Sequence, residues 1–253
     1  MYAKHFNNGI RSAQRGFTLL EILIAMFIGL FLVGALLTIV QTNRTVFGNQ
    51  SQLAVLNDSE RMAMTLMTDV IQSAGYFPDP TTNTSALLTA TAPFALGQYL
   101  NGAFSAAPPG DTLSVRYVTT GGDKILNCSG QSLPAGSPTT VMVNTFQILN
   151  GQLVCVMNNT QYNLVSGATN GSTTLGVTNM SVLYGVKTNV ATAGNNVDTY
   201  LNASQMAGKW NSVISVLVTL TFTNPLYVAG QAQPQNVSIQ RVINVMNQTG
   251  PIL

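Results

Sequence analysis

Residues 15–40 read RGFTLLEILIAMFIGLFLVGALLTIV, and this stretch decides how the chain is organised. Between Phe17 and Val40 the polar residues are Thr18, Glu21 and Thr38. A helix over this stretch is about 36 Å long, which is enough to cross the hydrocarbon core of a bilayer. The sequence therefore predicts a membrane helix with one carboxylate near its start, and an unpaired charge costs about 2.5–3.5 kcal/mol at the centre of such a helix.

The composition favours an extracytoplasmic, β-rich domain after the apolar stretch. Only 7% of the 253 residues are charged, and Thr, Asn, Ser, Gln and Gly are abundant after about residue 80. Three of the ten basic residues, Lys4, Arg11 and Arg15, lie before the apolar stretch, and the rest of the chain has no basic cluster. Nucleic-acid binding depends on clustered Lys and Arg, so no nucleic-acid partner is expected.

The residues that flank the apolar stretch resemble an export signal with an unusual cleavage position. The basic leader predicts a cytoplasmic N-terminus. Ordinary secretory signals have small residues after the apolar core, whereas here QTNRTVFGNQ follows Val40. The small residue instead stands before the core, as Gly16 between Arg15 and Phe17.

The string from Arg15 to Glu21, RGFTLLE, resembles the class III signal of type IV pilins and type II secretion pseudopilins. The resemblance implies that a prepilin peptidase cuts between Gly16 and Phe17 and that the new N-terminal Phe17 is N-methylated. It also implies an assembly role for Glu21, whose carboxylate would pair with the terminal amine of a neighbouring subunit and so set the axial register. A plain membrane anchor with a chance glutamate is the alternative.

An amphipathic helix is predicted to continue beyond Val40 to about Ala74. Apolar residues recur at steps of three, four and seven, and the charged residues fall mostly off that face. Gly75 and Pro78 then supply a helix stop. The apolar face comprises Val46, Leu53, Leu56, Ala63, Met67, Val70 and Ala74, and the charged set comprises Arg44, Asp58, Glu60, Arg61 and Asp69.

The remaining chain predicts an antiparallel sheet that follows an irregular connection over 79–112. One hairpin is expected from LSVRYV to ILNC, and a second from FQIL through Asn150-Gly151 to QLVCV, because Asn-Gly favours a type I′ turn. The strongest strands are SVISVLVTLTF and NVSIQRVINVM. The resulting fold class is α+β, with a long N-terminal helix packed on a mainly antiparallel C-terminal sheet, which is the type IV pilin fold that the resemblance implies.

A second resemblance concerns the PilW-type minor pilins. The segments MTLMTDVIQSAGYF, SVLYGVKT and KWNSVISVLVTL resemble segments of that family. Several relatives have an aspartate-rich stretch after Tyr-Gly-Val that looks able to hold calcium. Here Lys187 stands where an acid is expected and only Asp198 remains, so we expect no metal, because a hard cation needs several oxygen ligands.

The cysteines and the single histidine limit the chemistry of the head. Cys128 and Cys155 are expected to form a disulfide in an oxidising compartment, with two free buried thiols as the alternative. The only histidine, His5, lies in the leader, so a Ser/His/Asp or Cys/His arrangement cannot be built. We therefore expect no enzyme activity and no cofactor.

Together these features predict four segments. Residues 1–16 form a removable leader, 17–40 a transmembrane and assembly helix, 41–75 its amphipathic continuation, and 76–253 a periplasmic or extracellular head. The resemblance implies a minor pilin that primes type IV pilus assembly at or near the fibre tip, in adhesion and twitching motility. Its partners would be the prepilin peptidase, the inner membrane, other minor pilins, the major pilin and a tip adhesin. The alternatives are a J-type pseudopilin of type II secretion, and a signal-anchored periplasmic enzyme or binding protein that does not polymerise.

Overall fold

The structure is a computed structural model that describes residues 16–79, 88–165, 168–170, 173–189, 194 and 196–248. The predicted basic leader, apart from Gly16, lies outside the described residues. The chain divides into two compact units at the junction between Gln50 and Ser51.

The long helix predicted from the apolar periodicity is present as α1, Leu19–Gln72. It begins two residues after Phe17 and ends two residues before Ala74, so the prediction of its existence and extent is confirmed. The chain turns at Gly75, whose φ is +73°. A Cβ at this position would lie 2.6 Å from Nδ2 of Asn247 and 3.1 Å from the Tyr99 ring, so a larger residue does not fit.

One face of α1 contributes to the core of the second unit. The buried residues on this face follow helical spacing and are Leu56, Ala63, Met64, Met67, Val70 and Ile71. Val46 and Leu53 were predicted on the same face, but both are exposed. Glu60 was placed mostly off the face, yet its spacing from Leu56 and Met64 puts it on the stripe, and burial raises the pKa of its carboxyl.

Two antiparallel sheets form the rest of the second unit. The first has five strands in chain order: β1 Leu100–Ala103, β2 Thr112–Thr119, β3 Thr140–Leu149, β4 Gln152–Met157 and β5 Thr160–Val165. The second has the order β11-β10-β8-β9, with β8 Val177–Val186, β9 Thr199–Leu201, β10 Val213–Thr223 and β11 Asn236–Asn244. A small pair consists of β6 Ala168–Asn170 and β7 Thr173–Leu175. Short 3₁₀ helices lie at Ala203–Gln205, Trp210–Ser212 and Met246–Gln248.

The two hairpin predictions have opposite outcomes. The turn at Asn150-Gly151 is confirmed, because both residues have positive φ, 52° and 73°, and Leu149 pairs with Gln152. The hairpin between LSVRYV and ILNC is wrong, because β2 pairs with β1 and β3 and no strand forms over 125–128. Asp123 explains the difference: its carboxylate accepts hydrogen bonds from the main-chain N–H groups of Thr120 and Ile125, which closes a local turn instead of a ladder.

The strands predicted near the C-terminus are confirmed as β10 and β11, which pair antiparallel from Ser215–Asn244 to Thr223–Asn236. The alternate side chains on one face of β10 are all buried, namely Ile214, Val216, Val218, Leu220 and Phe222. This alternation is the pattern of a sheet with one face on the core. Together with α1, it confirms the α+β fold class.

The buried carboxylate of Asp111 connects the two sheets. One oxygen accepts the N–H of Ser105, beyond β1, at 2.8 Å, and the other accepts the N–H of Val182 in β8, also at 2.8 Å. The adjacent Gly110 forms an isolated bridge with Met180. Sheet one is therefore attached to sheet two through the loop that precedes β2.

The connection predicted as irregular over 79–112 is irregular in most of its described part, but it contains β1. Its segment 88–98 is held by Arg116 of β2, a side chain that is only 2% exposed. The guanidinium donates to the carbonyls of Thr89 at 2.7 Å and Ala95 at 3.0 Å, and it also donates to those of Leu88 and Gln98. It stacks 4.7 Å from the centre of the Phe94 ring. No carboxylate among the described residues pairs with it, and desolvation lowers the pKa of Arg116.

Candidate assembly site

The polar residues at the start of α1 form a reciprocal capping box. Thr18 immediately precedes the helix, and its Oγ1 accepts the N–H of Glu21 at 3.3 Å. In return, Oε2 of Glu21 accepts the main-chain N–H of Thr18 at 3.1 Å and its hydroxyl at 3.3 Å. This arrangement satisfies two of the donors that a helix N-terminus leaves unpaired, and the carboxylate lies at the positive end of the helix dipole.

The capping box gives Glu21 a hydrogen-bonding role within its own chain that the sequence analysis missed. The signal was present in the sequence, because Thr18-Leu19-Leu20-Glu21 matches the Ser/Thr-x-x-Glu pattern that begins many helices. The same carboxylate therefore caps its own helix in addition to carrying the charge that is costly in an apolar layer.

The helix that follows exposes an unusually large apolar surface. Every residue from Gly16 to Gln50 is exposed in the single chain. The large apolar side chains between Phe17 and Val40 are 47% to 82% exposed. α1 contains a window of mean hydropathy 2.8, and by length and composition it is long and apolar enough to cross a membrane. Such a surface needs an apolar environment, supplied by lipid or by other helices.

The threonines along this helix are satisfied internally. The hydroxyl of Thr38 donates to the carbonyl of Gly34 at 3.1 Å, and that of Thr42 donates to the carbonyl of Thr38 at 2.9 Å. Between Phe17 and Val40, Glu21 is then the one side chain with a formal charge. Any apolar surroundings of this helix must therefore accommodate a single carboxylate.

In its described residues, the loop that follows β8 has no cluster of metal ligands. Asp198 accepts hydrogen bonds from the main-chain N–H groups of Asn189 at 2.8 Å and Thr188 at 2.9 Å, and these bonds lower the pKa of its carboxyl. The ammonium of Lys187 donates to the carbonyl of Gly194. Among the described residues, no group of three or more His, Cys, Asp or Glu side chains lies together.

Two family profiles match the chain; they cover RGFTLLE, SVLYGVKT and KWNSVISVLVTL, whereas MTLMTDVIQSAGYF lies outside both. Residues 11–37 match the prokaryotic N-terminal methylation motif, and residues 140–249 match the type IV pilus-assembly protein W. These matches support a type IV pilin-like protein of the PilW type, although the PilW profile covers less than half of the chain. The methylation motif implies that this PilW-type protein is processed by a prepilin peptidase.

Solved structures with a related architecture include a type IV-like pilin from Thermus thermophilus. It is 11% identical, the alignment covers 77% of this chain and 97% of that one, and the TM-score is 0.40. A binary complex of two pseudopilins from the type 2 secretion system of Vibrio vulnificus is 12% identical, with coverages of 78% and 94% and a TM-score of 0.39. No curated protein sequence matches the chain.

The two family profiles describe structural proteins of the pilin type, which are not enzymes. The chain's apolar N-terminal helix is of the pilin type and is consistent with membrane anchoring and with incorporation into a pilus.

The structure places the predicted site residues in two separate regions. Gly16, Phe17 and Glu21 lie together at the exposed start of α1. Cys128 and Cys155 lie in the head, where they form the predicted disulfide between the loop after β2 and strand β4. The prediction of a disulfide is confirmed, and the alternative of two free thiols is wrong.

Proposed function

We propose that this protein is a minor pilin of a type IV pilus, which with other minor pilins primes fibre assembly and lies at or near the tip. The observation that supports this most directly is the fully exposed apolar helix over 19–40, interrupted by one carboxylate. A lone subunit leaves this surface uncovered, and a bundle of such helices would cover it. The match of residues 140–249 to the pilus-assembly protein W supports a pilus over a J-type role in type II secretion.

The leader, residues 1–16, is removed by cleavage between Gly16 and Phe17, and Phe17 becomes an N-methylated N-terminus. Both residues are exposed and precede the helical start at Leu19. An exposed peptide bond outside the helix is accessible to a protease, whereas a bond inside the helix would first require unwinding. Residues 17–40 then anchor the protein in the inner membrane, residues 41–75 continue the helix, and residues 76–253 form the head on the periplasmic side.

Glu21 exchanges partners during assembly. In the free subunit its carboxylate accepts two hydrogen bonds from Thr18. In the fibre it pairs with the charged amine of Phe17 in a neighbouring subunit, so that two charges are neutralised in an apolar bundle. A register error leaves both charges unpaired, which is strongly unfavourable at low dielectric. The pairing therefore selects one axial position for each new subunit.

The partners in this function are the prepilin peptidase, the other minor pilins, the major pilin and a tip adhesin, and the assembled fibre acts in adhesion and twitching motility. The chemistry of the helix determines the contacts with the first three partners, and the head surface determines the contact with the adhesin.

N-terminal sequencing of the membrane-bound protein and fibre counting test the proposal together. We expect the mature chain to begin at a methylated Phe17. The variant Glu21→Ala should lose its leader normally but fail to enter minor-pilin complexes, with fewer pili seen by microscopy. A chain that retains Met1 would exclude assembly and support a non-polymerising anchor. Normal incorporation of Glu21→Ala would contradict the proposed register role.

A further inference from the structure

The edge strands of the two larger sheets differ in how well they are protected from pairing with another chain. β1 and β9 are short, with four and three residues. β5 has six residues and joins β4 with a register irregularity beside Leu153 and Val154. Short strands and bulges are the usual devices that protect a sheet edge. β11 has neither, because its nine residues pair with β10 without any shift in register.

The hydrogen bonds at both ends of this hairpin show which residues of β11 face away from the sheet. Val245 donates to the carbonyl of Ile214 at 2.8 Å, and Asn224 donates to the carbonyl of Gln235 at 2.9 Å. Both pairs keep the register of β10 and β11. Because bonded and non-bonded pairs alternate in an antiparallel ladder, the odd-numbered residues of β11 bond to β10. The even-numbered residues therefore direct their main-chain N–H and C=O groups outward.

These outward residues, which we term the β11 edge, carry no charge and include no proline. They are Asn236, Ser238, Gln240, Val242 and Asn244, and all are exposed. The one charged residue of the strand, Arg241, is odd-numbered and contacts the hydroxyl of Thr68 in α1 at 3.4 Å. Within the described part of the chain, no main-chain group bonds to the outward groups of Ser238, Gln240 or Val242. A row of free donors and acceptors is best satisfied by another extended chain.

The exposed side chains beside the β11 edge define the chemistry of such a chain. Val242 is 54% exposed. It lies opposite Leu217 of β10, which in turn lies opposite Leu183 of β8, so the three residues form an apolar row across the sheet. The next row, Gln240, Thr219 and Ser181, is polar and uncharged. A complementary strand is therefore neutral, with an apolar side chain beside Val242 and polar residues beside Gln240.

A second copy of this chain fits these requirements less well. An antiparallel two-fold pairing of β11 with itself, centred on Gln240, would place Val242 opposite Ser238, so the apolar row would end against a polar side chain. A pairing centred on Val242 would match Val242 with itself, but it could use only residues 240–244, because β11 ends at Asn244 and a 3₁₀ helix begins at Met246. Asn236 and Ser238 would then have no main-chain partner.

We propose that the β11 edge binds an extended segment of a different subunit, which adds a fifth strand to the second sheet. This inference rests on the proposed function, because it assumes that the head lies next to other subunits. Main-chain hydrogen bonds hold the added strand, and the position of Val242 selects its register. The exposed helix drives assembly of the stems, and the β11 edge determines which head becomes the neighbour.

Photo-crosslinking in the full-length chain tests the proposal. A photoreactive amino acid is placed in turn at Ser238, Gln240 and Val242, in cells that assemble the subunit, and the crosslinked peptides are identified by mass spectrometry. We expect all three to reach one segment of one other subunit, with the attachment point moving by about two residues per step in a constant direction. No crosslink, scattered attachment points or crosslinks to the same chain would each overturn the inference.

A pair of variants at one position gives a second measurement. Gln240→Pro removes an outward N–H group and leaves the bonds to β10 intact, whereas Gln240→Val changes the side chain and keeps the N–H. We expect Gln240→Pro to lower the recovery of the crosslinked partner subunit about tenfold and Gln240→Val to change it less than about twofold. Equal recovery from both variants would overturn the inference. Resistance of the head to protease checks its folding, and if Gln240→Pro does not fold, the crosslinks decide.

The outcomes separate this inference from the proposed function. A mature chain that begins at Phe17 and enters fibres without ordered crosslinks would refute the strand addition alone. A chain that retains Met1 would refute the function itself.

Discussion

Replacing Glu21 by Gln separates the two roles that the structure and the resemblance give to this residue. Glutamine also serves in a capping box, so Glu21→Gln keeps an acceptor for the main-chain N–H of Thr18 and removes only the charge. Glu21→Ala removes both the acceptor and the charge. Thr18→Val removes the hydroxyl half of the box and leaves the carboxylate in place.

The hydrogen bonds of the capping box set the size of the expected effects. All three are 3.1 to 3.3 Å long and lie at an exposed helix end. A cap of this kind contributes about 1 kcal/mol, so its loss changes an equilibrium about fivefold. A hydrogen bond to a charged group contributes about 1.5–3 kcal/mol, and its loss corresponds to roughly 10- to 150-fold. Loss of the charge should therefore dominate.

The assay compares the amount of each variant in sheared fibres with the amount in the membrane. We expect Glu21→Gln and Glu21→Ala to be depleted from fibres to a similar, large extent, and Thr18→Val by about fivefold or less. N-terminal sequencing should show normal leader removal in all three. If Glu21→Gln entered fibres as well as the unaltered chain while Glu21→Ala did not, the cap would be the essential feature and the charge-pairing argument would be refuted.

Three further predictions concern the head of the protein purified in detergent. Arg116→Met should lower the free energy of unfolding by about 3 kcal/mol, because it leaves buried carbonyls without donors. The control variant Arg241→Met should change it by less than about 0.5 kcal/mol. Thermal unfolding measures both. Replacing Cys128 and Cys155 together by Ser removes a disulfide across a sequence separation of 27 residues and should lower the free energy of unfolding by about 3.5 kcal/mol. A reductant should cause the same loss in the unaltered chain and no further loss in the variant. The folded-state pKa of Asp198 is lower than the usual aspartate value of about 3.9. The hydrogen bonds to its carboxylate should therefore stabilise the loop fully above about pH 3.9 and be lost as the pH falls through the lower folded value. Amide exchange at Thr188 would detect this loss, and unchanged exchange in acid would contradict the prediction.

The sequence predicted those elements whose signals are local. The helix followed from apolar periodicity and from Gly75, and the β3–β4 turn followed from Asn150-Gly151. The string RGFTLLE indicated the N-terminal methylation motif that the family profile matches. The capping role of Thr18 was not predicted, because the Thr-x-x-Glu pattern lies within the same string.

The errors arose where distant residues decide the structure. β2 pairs with β3, so that Leu113 lies opposite Phe146, and the intervening loop is occupied by the Asp123 turn and the disulfide at Cys128. No pattern within the loop reports this pairing. The buried position of Arg116 was equally hidden, because its acceptors are main-chain carbonyls, which any sequence supplies.

This last property of Arg116 has a consequence for how the head can evolve. The guanidinium attaches segment 88–98 through carbonyl oxygens of Leu88, Thr89, Ala95 and Gln98, so the attachment does not depend on which side chains those positions bear. Carbonyls do not titrate and arginine keeps its proton, so acidification leaves the attachment unchanged. Substitutions can therefore accumulate at solvent-facing positions of this segment without releasing it, which makes it a natural place for the protein's surface to diversify between strains.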